Sequence, residues 1–481
     1  MKKLLTMGIN TRAIVNSSFQ LNYQTYSCSY FRTSDFRVPY SERHILEQLP
    51  HESCGFFEEN YDPKKILGLS SDWIDEVDNI ILSTGISPTD FDFKNKLKKN
   101  KKKIIGNKNV SDIEDKFKFY KKIKNKFLVP LTFRLNNISE AIEISNQYLP
   151  KEFIVKPLKG SGGYGINFLN YLMNFHFNER KLDKGNESQI KKFELDIPFI
   201  LQEYVSGENI SSSILSTKNE SKTIITSKNL NNRYDHLQNN AENEDNSTNN
   251  KNNNAHKNNN STNNKNNNAH KNNNSTNNKN NNGNNNQKKD NRNLNKDEKI
   301  ESIKNKSCAN DFRYYGNIAP LDNNVYSQNL IKELNTTSED IISNFKLIGS
   351  NGVDMILKDE NIYIIEVNPR FQGTYECVEE ILGINLLDAH IKACEGELIK
   401  IPSPSTYSMK KIIYSSKKIK FNHNINSLKE KYNNMNIYDI PYNNVIIEKD
   451  QPLLTLVSNE KTIDQARMKI NRISKEIESI L

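Results

Sequence analysis

The segment "IIEVNPRFQGTYE", residues 364–376, starts as an apolar strand and then delivers several charged and polar side chains in succession. Side chains alternate between the two faces of a strand, so Glu366 and Asn368 point to the same side. Arg370 and Gln372 follow directly after the strand. A carboxylate, an amide and a guanidinium at one strand end are suited to holding a small charged ligand together with a cation.

The preceding segment, "GVDMILKD", predicts the partner strand of a β-hairpin. Its turn signals at 358–361 bring Asp354 opposite Glu366 to within about one residue. Opposed carboxylates in a half-buried sheet are unfavourable unless a cation lies between them, and hard oxygen ligands favour Mg²⁺ or Mn²⁺. Ordinary surface acids are the alternative, although apolar residues on both faces of these strands weigh against it. We therefore predict a divalent metal site at Asp354, Glu366 and Asn368.

A glycine-rich loop after another strand predicts phosphate binding. In "IVKPLKGSGGYGI", Lys156 lies on the strand, and four glycines follow it, namely Gly160, Gly162, Gly163 and Gly165. Backbone amides of such a loop can close on phosphate oxygens while the ammonium group neutralises their charge. A tight structural turn is the commoner reason for the G-x-G-x-x-G spacing alone. The next segment, "GINFLNYL", predicts a strand instead of the helix of a dinucleotide site, and the sequence has no kinase HRD or DFG motif.

The elements around these motifs predict an α/β protein of three regions. Residues 1–107 alternate strand and helix, with further strands at "NIILSTG" and "KKIIGN", and predict a small doubly wound domain. Residues 108–396 predict hairpins, with a lid at about 130–205, and residues 397–481 predict a smaller α+β unit. An Asn- and Lys-rich insert, 229–306, repeats "NSTNNKNNNAHKNN" and has too little apolar surface to fold, so it predicts disorder.

Composition excludes several classes of partner. The net charge of +9 is scattered, and the one dense basic run, 94–103, has no aromatic residues between its lysines for base stacking. That run predicts a solvated helix face leading into a strand, not a nucleic-acid site. The five cysteines form no C-x-x-C pair, which favours a reducing, cytoplasmic setting. No apolar run is long enough to span a bilayer, and the start does not read as a signal peptide.

Taken in order, these pieces resemble the ATP-grasp superfamily, and within it the biotin-carboxylase-related branch. The likeness is carried by "DK" at Asp115 and Lys116, "IVKP" with its glycine loop, "QEYVSGE", and the acidic "D…IEVNPR" hairpin. It implies an ATP-grasp fold with a Rossmann-like N-terminal domain and a small C-terminal domain. It also implies an enzyme that uses ATP and Mg²⁺ on small-molecule substrates and that can form a homodimer.

The resemblance implies a role for each matching residue. Lys116 and Lys156 would contact the ATP phosphates, and Asp354, Glu366 and Asn368 would bind the magnesium ions. Arg370 and Gln372 would face the acylphosphate or carboxyphosphate. The residues implied to hold adenine and ribose are Glu203, Val205 and Glu208. From their position directly after the insert, Arg313 and Asn317 are further predicted to contact substrate, with ordinary loop residues as the alternative.

Three functions follow from this reading. The preferred one is a carboxylate-amine ligase that activates a small-molecule carboxylate as an acylphosphate and joins it to an amine. The second is a carboxylase that activates bicarbonate; Arg370 and Gln372 favour it, and Thr374, where that branch has glutamate, disfavours it. The third is a non-catalytic nucleotide-binding protein whose Asn-rich insert recruits partners.

Overall fold

The computed structural model describes most of the chain, in several ranges with gaps between them. The described residues are 1–36, 38, 40–57, 61–160, 162–173, 197–230, 312–422, 430 and 435–480. Most of the predicted disordered insert lies outside them. Its first two predicted residues, Asn229 and Leu230, belong to a strand instead. Within the described residues the strands form four sheets.

The N-terminal sheet is parallel, as the alternation of strands and helices predicts. Its strands are β1 (Lys2–Gly8), β2 (Tyr23–Phe31), β3 (Ser41–Leu46) and β4 (Asn79–Leu82), in the order β3-β2-β1-β4. The helices and 3₁₀ turns around it are Arg12–Ser18, Pro63–Leu69, Ser71–Glu76, Pro88–Phe93, Asn95–Asn100 and Lys101–Lys103. The strand predicted at "KKIIGN" is wrong: only Ile104 pairs, in an isolated bridge to Ile80, because the 3₁₀ turn runs up to residue 103.

A second, antiparallel sheet carries the glycine loop. Its strands are β5 (Thr132–Leu135), β6 (Phe153–Pro157), β7 (Asn167–Phe168) and β8 (Phe199–Glu203), in the order β5-β8-β6-β7, with a covering helix at Ile138–Gln147. Asn137 caps that helix by accepting a hydrogen bond from the Glu140 amide at 2.8 Å. The predicted strand "GINFLNYL" is mostly wrong, because β7 has two residues and 169–173 are helical.

The largest sheet has eight strands. They are β9 (Glu208–Ser216), β10 (Ser221–Leu230), β11 (Gly316–Ala319), β12 (Gly349–Lys358), β13 (Asn361–Asn368), β14 (Tyr407–Tyr414), β16 (Asn436–Tyr438) and β18 (Pro452–Glu460), in the order β13-β12-β9-β10-β11-β14-β18-β16. A separate pair is formed by β15 (Ile419–Lys420) and β17 (Ile446–Ile447). Strands from the predicted central and C-terminal regions thus continue one sheet. The insert connects two neighbours, since Leu230 of β10 pairs with Gly316 of β11.

Helices cover both faces of this sheet. Gln328–Asn344 packs on one face, where Leu334 and Ile341 join Ile210, Val353 and Met355 in a buried core. The helices Tyr375–Leu382 and Leu386–Glu395 cover the other face and reach the N-terminal helix Arg12–Ser18. The remaining helices are Ser111–Glu114, Lys116–Ile123 and Ile463–Ile480. No helix among the described residues combines the length and apolarity needed to cross a membrane.

Candidate active site

The hairpin of β12 and β13 places two carboxylates face to face. Its turn residues Asp359 and Glu360 both have positive φ, 49° and 64°, as a two-residue type I′ turn requires. The resulting register pairs Asp354 directly with Glu366. A β-bulge follows Asp354, and bulges recur where a strand must re-aim side chains at a site. Asn368 lies further along the same face and pairs with Gly352.

Neighbouring polar groups hold the two acids in place. The Asn368 amide donates to Asp354 Oδ2 at 2.8 Å and, more weakly, to Glu366 Oε1 at 3.4 Å. Ser211, on the adjoining β9, donates its hydroxyl to Asp354 Oδ1 at 2.6 Å. Lys116 Nζ lies 3.4 Å from Glu366 Oε2. The pair is therefore oriented from three elements that are far apart in the sequence.

The two carboxyl groups of the pair have pKa values that are shifted in opposite directions. Burial and the adjacent Glu366 carboxylate raise the pKa of Asp354 to about 7. Burial also opposes ionisation of Glu366, yet the positive charges of Lys116, Lys156 and Arg370 hold its pKa below the ordinary value. Glu366 thus has three cations that favour its ionisation, whereas at Asp354 the charge of Arg370 does not offset burial and the Glu366 carboxylate. A divalent cation beside Asp354 would add the positive charge that is needed there.

Lys156 forms no ion pair with any residue that the structure describes, and the nearby Glu366 carboxylate does not offset its burial. It lies on β6 with 2% of its surface exposed, and its Nζ donates to Gln202 Oε1 at 2.7 Å. Gln202 is itself held by Thr132, to whose hydroxyl oxygen its amide donates at 2.9 Å. Burial and the neighbouring charge of Lys116 lower the pKa of Lys156 to about 7. An anion bound beside Lys156 would restore its positive charge.

The glycine loop packs next to these lysines. Four of its glycines have positive φ: Gly160, Gly162, Gly163 and Gly165. The carbonyl of Gly160 accepts a hydrogen bond from Lys116 Nζ at 2.9 Å. At Gly163 a Cβ would lie 1.7 Å from the Phe312 carbonyl oxygen, so only glycine allows this approach. The loop connects two antiparallel strands, as the hairpin reading of this region predicts.

The predicted acyl-site residues lie at the end of β13. Gln372 accepts from the Ser211 hydroxyl at 3.2 Å, and its amide lies directly over Gly352, where a Cβ would be 1.0 Å from Nε2. The side chain of Arg370 forms no hydrogen bond or ion pair with any residue that the structure describes, whereas its backbone amide donates to the Asn368 carbonyl at 2.9 Å. Its guanidinium lines a small cavity together with Glu114. Thr374 is buried, and its hydroxyl lies 2.8 Å from that of Ser213.

The residues predicted to hold adenine and ribose are only partly grouped with this site. Glu203 ends β8, and its carboxylate is occupied by Lys151 and the Leu131 amide. Val205 is buried two residues further on. Glu208 pairs with Lys228 at 3.2 Å and accepts a hydrogen bond from Tyr326.

Strand alternation places Glu208 away from the acid pair. Ser211 and Asp354 are direct partners in a regular β9–β12 register, so Glu208, an odd number of residues away, points to the opposite face. Asn209 points to the same face as Ser211. The sequence reading missed Ser211, although alternation along β9 could have found it.

The structure does not bring Arg313 and Asn317 to the acid pair. Arg313 donates to the Asp450 carbonyl at 2.8 Å and lies over the Tyr414 ring. Asn317 is fully buried on β11, where its Oδ1 accepts a weak hydrogen bond from the Cys377 thiol. Both were predicted from their position after the insert. On β11, Asn317 lies against the helix Tyr375–Leu382, whereas Arg313 precedes β11 and has its amide nitrogen beside Gly163 of the glycine loop.

A buried ionic network, missed from the sequence, secures the segment that follows Arg370. Glu376 accepts from Arg12 Nη2 at 2.6 Å and from Lys410 Nζ at 2.7 Å, and Lys410 also donates to the Gly373 carbonyl at 3.0 Å. Arg12 reaches Asp439 at 2.8 Å as well. The lysine and arginine hold the pKa of Glu376 below its ordinary value against the effect of burial. We name Arg12, Glu376, Lys410 and Asp439 the charged junction.

Comparison with known proteins places the chain in a family. A family model described as an ATP-grasp domain matches residues 113–265 and 284–374, and the chain belongs to that family. An uncharacterized protein of Methanocaldococcus jannaschii is 26% identical over 461 residues, which cover 95% of this chain and 88% of that protein.

Solved structures show the same fold along the whole length. An L-amino acid ligase from Bacillus licheniformis has a TM-score of 0.59 at 13% identity and covers 99% of this chain and 97% of that one. The biotin carboxylase domain of the Hydrogenobacter thermophilus 2-oxoglutarate carboxylase, in complex with MgADP, ADP and bicarbonate, has a TM-score of 0.59 at 12% identity. That match covers 98% of this chain and 88% of the other. The fold is therefore the ATP-grasp fold, as the motifs predict.

Proposed function

We propose that this protein is an ATP- and Mg²⁺-dependent ligase that activates a small-molecule carboxylate as an acylphosphate and joins it to an amine. One observation carries the proposal: the Asp354–Glu366 pair faces Lys116, with Lys156 and the Arg370 guanidinium as further positive charges near Glu366. Opposed acids beside several cations suit a triphosphate with a bound metal ion. The acids would bind the metal ion, and the cations would bind the phosphate oxygens.

The donor set fits Mg²⁺. Asp354 and Glu366 offer hard carboxylate oxygens, and rotation of the Asn368 amide would present its Oδ1 in place of the nitrogen that now faces them. No group of three or more His, Cys, Asp or Glu side chains in the described residues could hold a metal. This agrees with Mg²⁺ sites that use one or two carboxylates and complete the shell with phosphate oxygens and water. When bound, the ion would neutralise charge on the transferring phosphoryl group.

The chain's own residues then perform two tasks. Lys116 and Lys156 bind and orient the phosphates beneath the glycine loop, which packs against the Phe312 carbonyl and accepts a hydrogen bond from Lys116. Arg370 and Gln372 bind the acyl group, and Arg370 stabilises the charge that develops as the carboxylate oxygen attacks the γ-phosphorus. The amine then displaces phosphate, and no protein nucleophile is required.

The carboxylase alternative uses the same phosphate chemistry on bicarbonate. It is supported by Arg370 and Gln372, which would suit a small anion. It is disfavoured because Thr374, in place of a glutamate, offers only a hydroxyl already engaged with Ser213. The non-catalytic alternative is disfavoured because Lys156, Asp354, Glu366, Asn368 and Arg370 are all present together.

A phosphate-release screen tests the proposal. The full-length protein is incubated with MgATP and pooled amino acids, short aliphatic mono- and dicarboxylic acids and primary amines. We expect release that needs both an acid and an amine and that falls about 100-fold or more in Glu366→Ala. Glu360→Ala, at the exposed hairpin turn, is the matched control and should retain activity. Strict dependence on bicarbonate would establish the carboxylase instead, and absence of turnover with every pool would favour a binding protein.

A further inference from the structure

The N-terminal sheet has a topological switch point that faces the candidate active site. In chain order, β2 and β3 follow β1 toward one edge of the sheet, and β4 then pairs with the other side of β1. In open parallel sheets, ligands bind in the crevice outside the carboxyl ends of the strands at such a point. Here the crevice lies beyond Gly8, which ends β1, and Leu82, which ends β4.

The two loops at this crevice are held together tightly. The Ile9 amide donates to the Thr84 carbonyl at 2.8 Å, and the Ser83 hydroxyl donates to the Asn10 carbonyl at 2.9 Å. A Cβ on Gly8 would lie 2.7 Å from that of Ser83, so the close approach depends on glycine. The rest of the second loop, which carries Ser87, is thereby fixed in position above the end of β4.

A cavity next to this loop joins the N-terminal region to the acyl site. Its volume is about 30 Å³, enough for a water molecule or one ammonium group. Its wall includes Leu82, Ile86 and Pro88 from the N-terminal region, and Glu114 and Arg370 from the other side. The cavity therefore lies where a second substrate could approach an acyl group held by Arg370.

Glu114 is the carboxylate at this cavity. The Ser87 hydroxyl donates to its Oε2 at 2.6 Å, and the charged groups around it are Lys159, Arg370 and Asp90. Burial raises its pKa above the ordinary value, against the opposing effects of the Ser87 hydrogen bond and of Lys159 and Arg370. A carboxylate of raised pKa is a better proton acceptor near neutral pH than an ordinary one.

His390 also lines the cavity and could in principle accept a proton, but both of its ring nitrogens already form hydrogen bonds. Its Nδ1 accepts from the Ser350 amide at 2.8 Å, and its Nε2 lies 3.2 Å from the Ile105 carbonyl, to which it donates. Burial lowers the pKa of His390 to about 4. Among the described residues of the wall, Glu114 is left.

We propose that Glu114 binds the ammonium group of the acceptor amine in this crevice and accepts its proton as the amine attacks the acylphosphate. The inference rests on the ligase function proposed above. An N–H bond of the ammonium breaks toward Glu114, and the amine nitrogen then forms the new C–N bond to the acyl carbon. The C–O bond to phosphate breaks, and the leaving phosphate takes the second amine proton. Glu114 finally returns its proton to solvent.

Two nucleophile probes separate this step from acyl activation. Hydroxylamine is uncharged at neutral pH and needs no base, whereas methylamine arrives as an ammonium ion. With the acid pool of the phosphate-release screen and MgATP, hydroxamate formation should be within about twofold of wild type in Glu114→Gln. Methylamide formation at neutral pH should fall about 100-fold. It should recover as pH rises, because the free-amine fraction grows, and a merely structural role would not give that profile.

The controls make each outcome decisive. Asp112→Asn changes an exposed acid on the same helical turn, paired with Lys122 at 2.8 Å, and should leave both products unchanged. Equal loss of hydroxamate and methylamide in Glu114→Gln, or loss of neither, would overturn the role of Glu114 while leaving the ligase function intact. Absence of hydroxamate in wild type would overturn the ligase function and this inference together. Should Glu114→Gln not fold, Glu114→Ala takes its place: recovery of methylamide on adding formate supports the role, and no recovery contradicts it.

Discussion

Removal of the Glu376 charge tests how much the charged junction contributes to the free energy of unfolding. Glu376 forms ion pairs with Arg12 and Lys410, whose side chains are 2% and 10% exposed. In Glu376→Gln, Arg12 keeps Asp439, but Lys410 loses its ion pair. Breaking a buried pair by removing one partner costs about 3–5 kcal/mol, because the other charge is left buried without compensation. We expect a loss of that size in the free energy of unfolding.

Urea unfolding of the full-length protein measures this loss, and a neighbouring acid gives the control. Glu380 lies one turn further along the same helix, is exposed, and accepts a hydrogen bond from Asn436 at 2.7 Å. Glu380→Gln should cost less than about 1 kcal/mol. Lys410→Met combined with Glu376→Gln should cost less than the sum of the two single changes. Similar midpoints for Glu376→Gln and Glu380→Gln would refute the importance of the junction.

The pH dependence supplies a second check with a definite sign. The pKa of Glu376 is held below its ordinary value in the folded protein. The stabilisation that the ionised Glu376 side chain gives the folded protein is therefore fully present above the unfolded-state pKa of about 4.3. It is lost as pH falls through the lower folded-state pKa. The difference between wild type and Glu376→Gln should shrink in acid over that range. A difference that grows on acidification would contradict the assignment.

Three further predictions concern the site and the insert. ATP binding without Mg²⁺ at about pH 8 should take up protons, because phosphate raises the lowered pKa of Lys156. Calorimetry in buffers of different ionisation enthalpy measures this uptake, and uptake that is undiminished in Lys156→Met would contradict the prediction. Gly352→Ala should lower kcat about 10–100-fold, because the new Cβ would displace the Gln372 amide. Gly68→Ala, whose Cβ would lie in open space, should leave kcat unchanged, and equal activity of the two variants would argue against a role for Gln372. Deletion of residues 232–305 should leave activity and the unfolding midpoint nearly unchanged, because the insert joins adjacent strands and loop-closure entropy changes slowly with length; loss of folding would show a structural role.

Local patterns in the sequence were enough to predict the acid pair. Asp354 and Glu366 are twelve positions apart on one hairpin, and the turn and the alternation of apolar residues fix their register without help from the rest of the chain. The glycine loop is similarly local, since Lys156 precedes it on the same hairpin. Elements whose neighbours are close in sequence were predicted best for this reason.

Contacts between distant segments were not predictable in the same way. Ser211 meets Asp354 only because β9 lies beside β12, and Glu376 meets Arg12 across 364 positions of sequence. Glu208 was predicted from its distance to "QEYV", but the face on which it lies depends on the register of β9 against β12. The strand predicted at "KKIIGN" failed because the apolar pair there packs beside a 3₁₀ turn instead of extending the sheet.

The opposite pKa shifts of Asp354 and Lys156 indicate what kind of ligand the site requires. The pKa of the acid is raised to about 7 and that of the lysine is lowered to about 7, so each loses part of its charge near neutral pH. A simple anion would restore Lys156 but oppose the ionisation of Asp354, and a lone cation would have the reverse effect. A metal-bound polyphosphate presents both charges side by side and restores both groups together. The acid pair and the lysine therefore favour the same ligand for complementary electrostatic reasons.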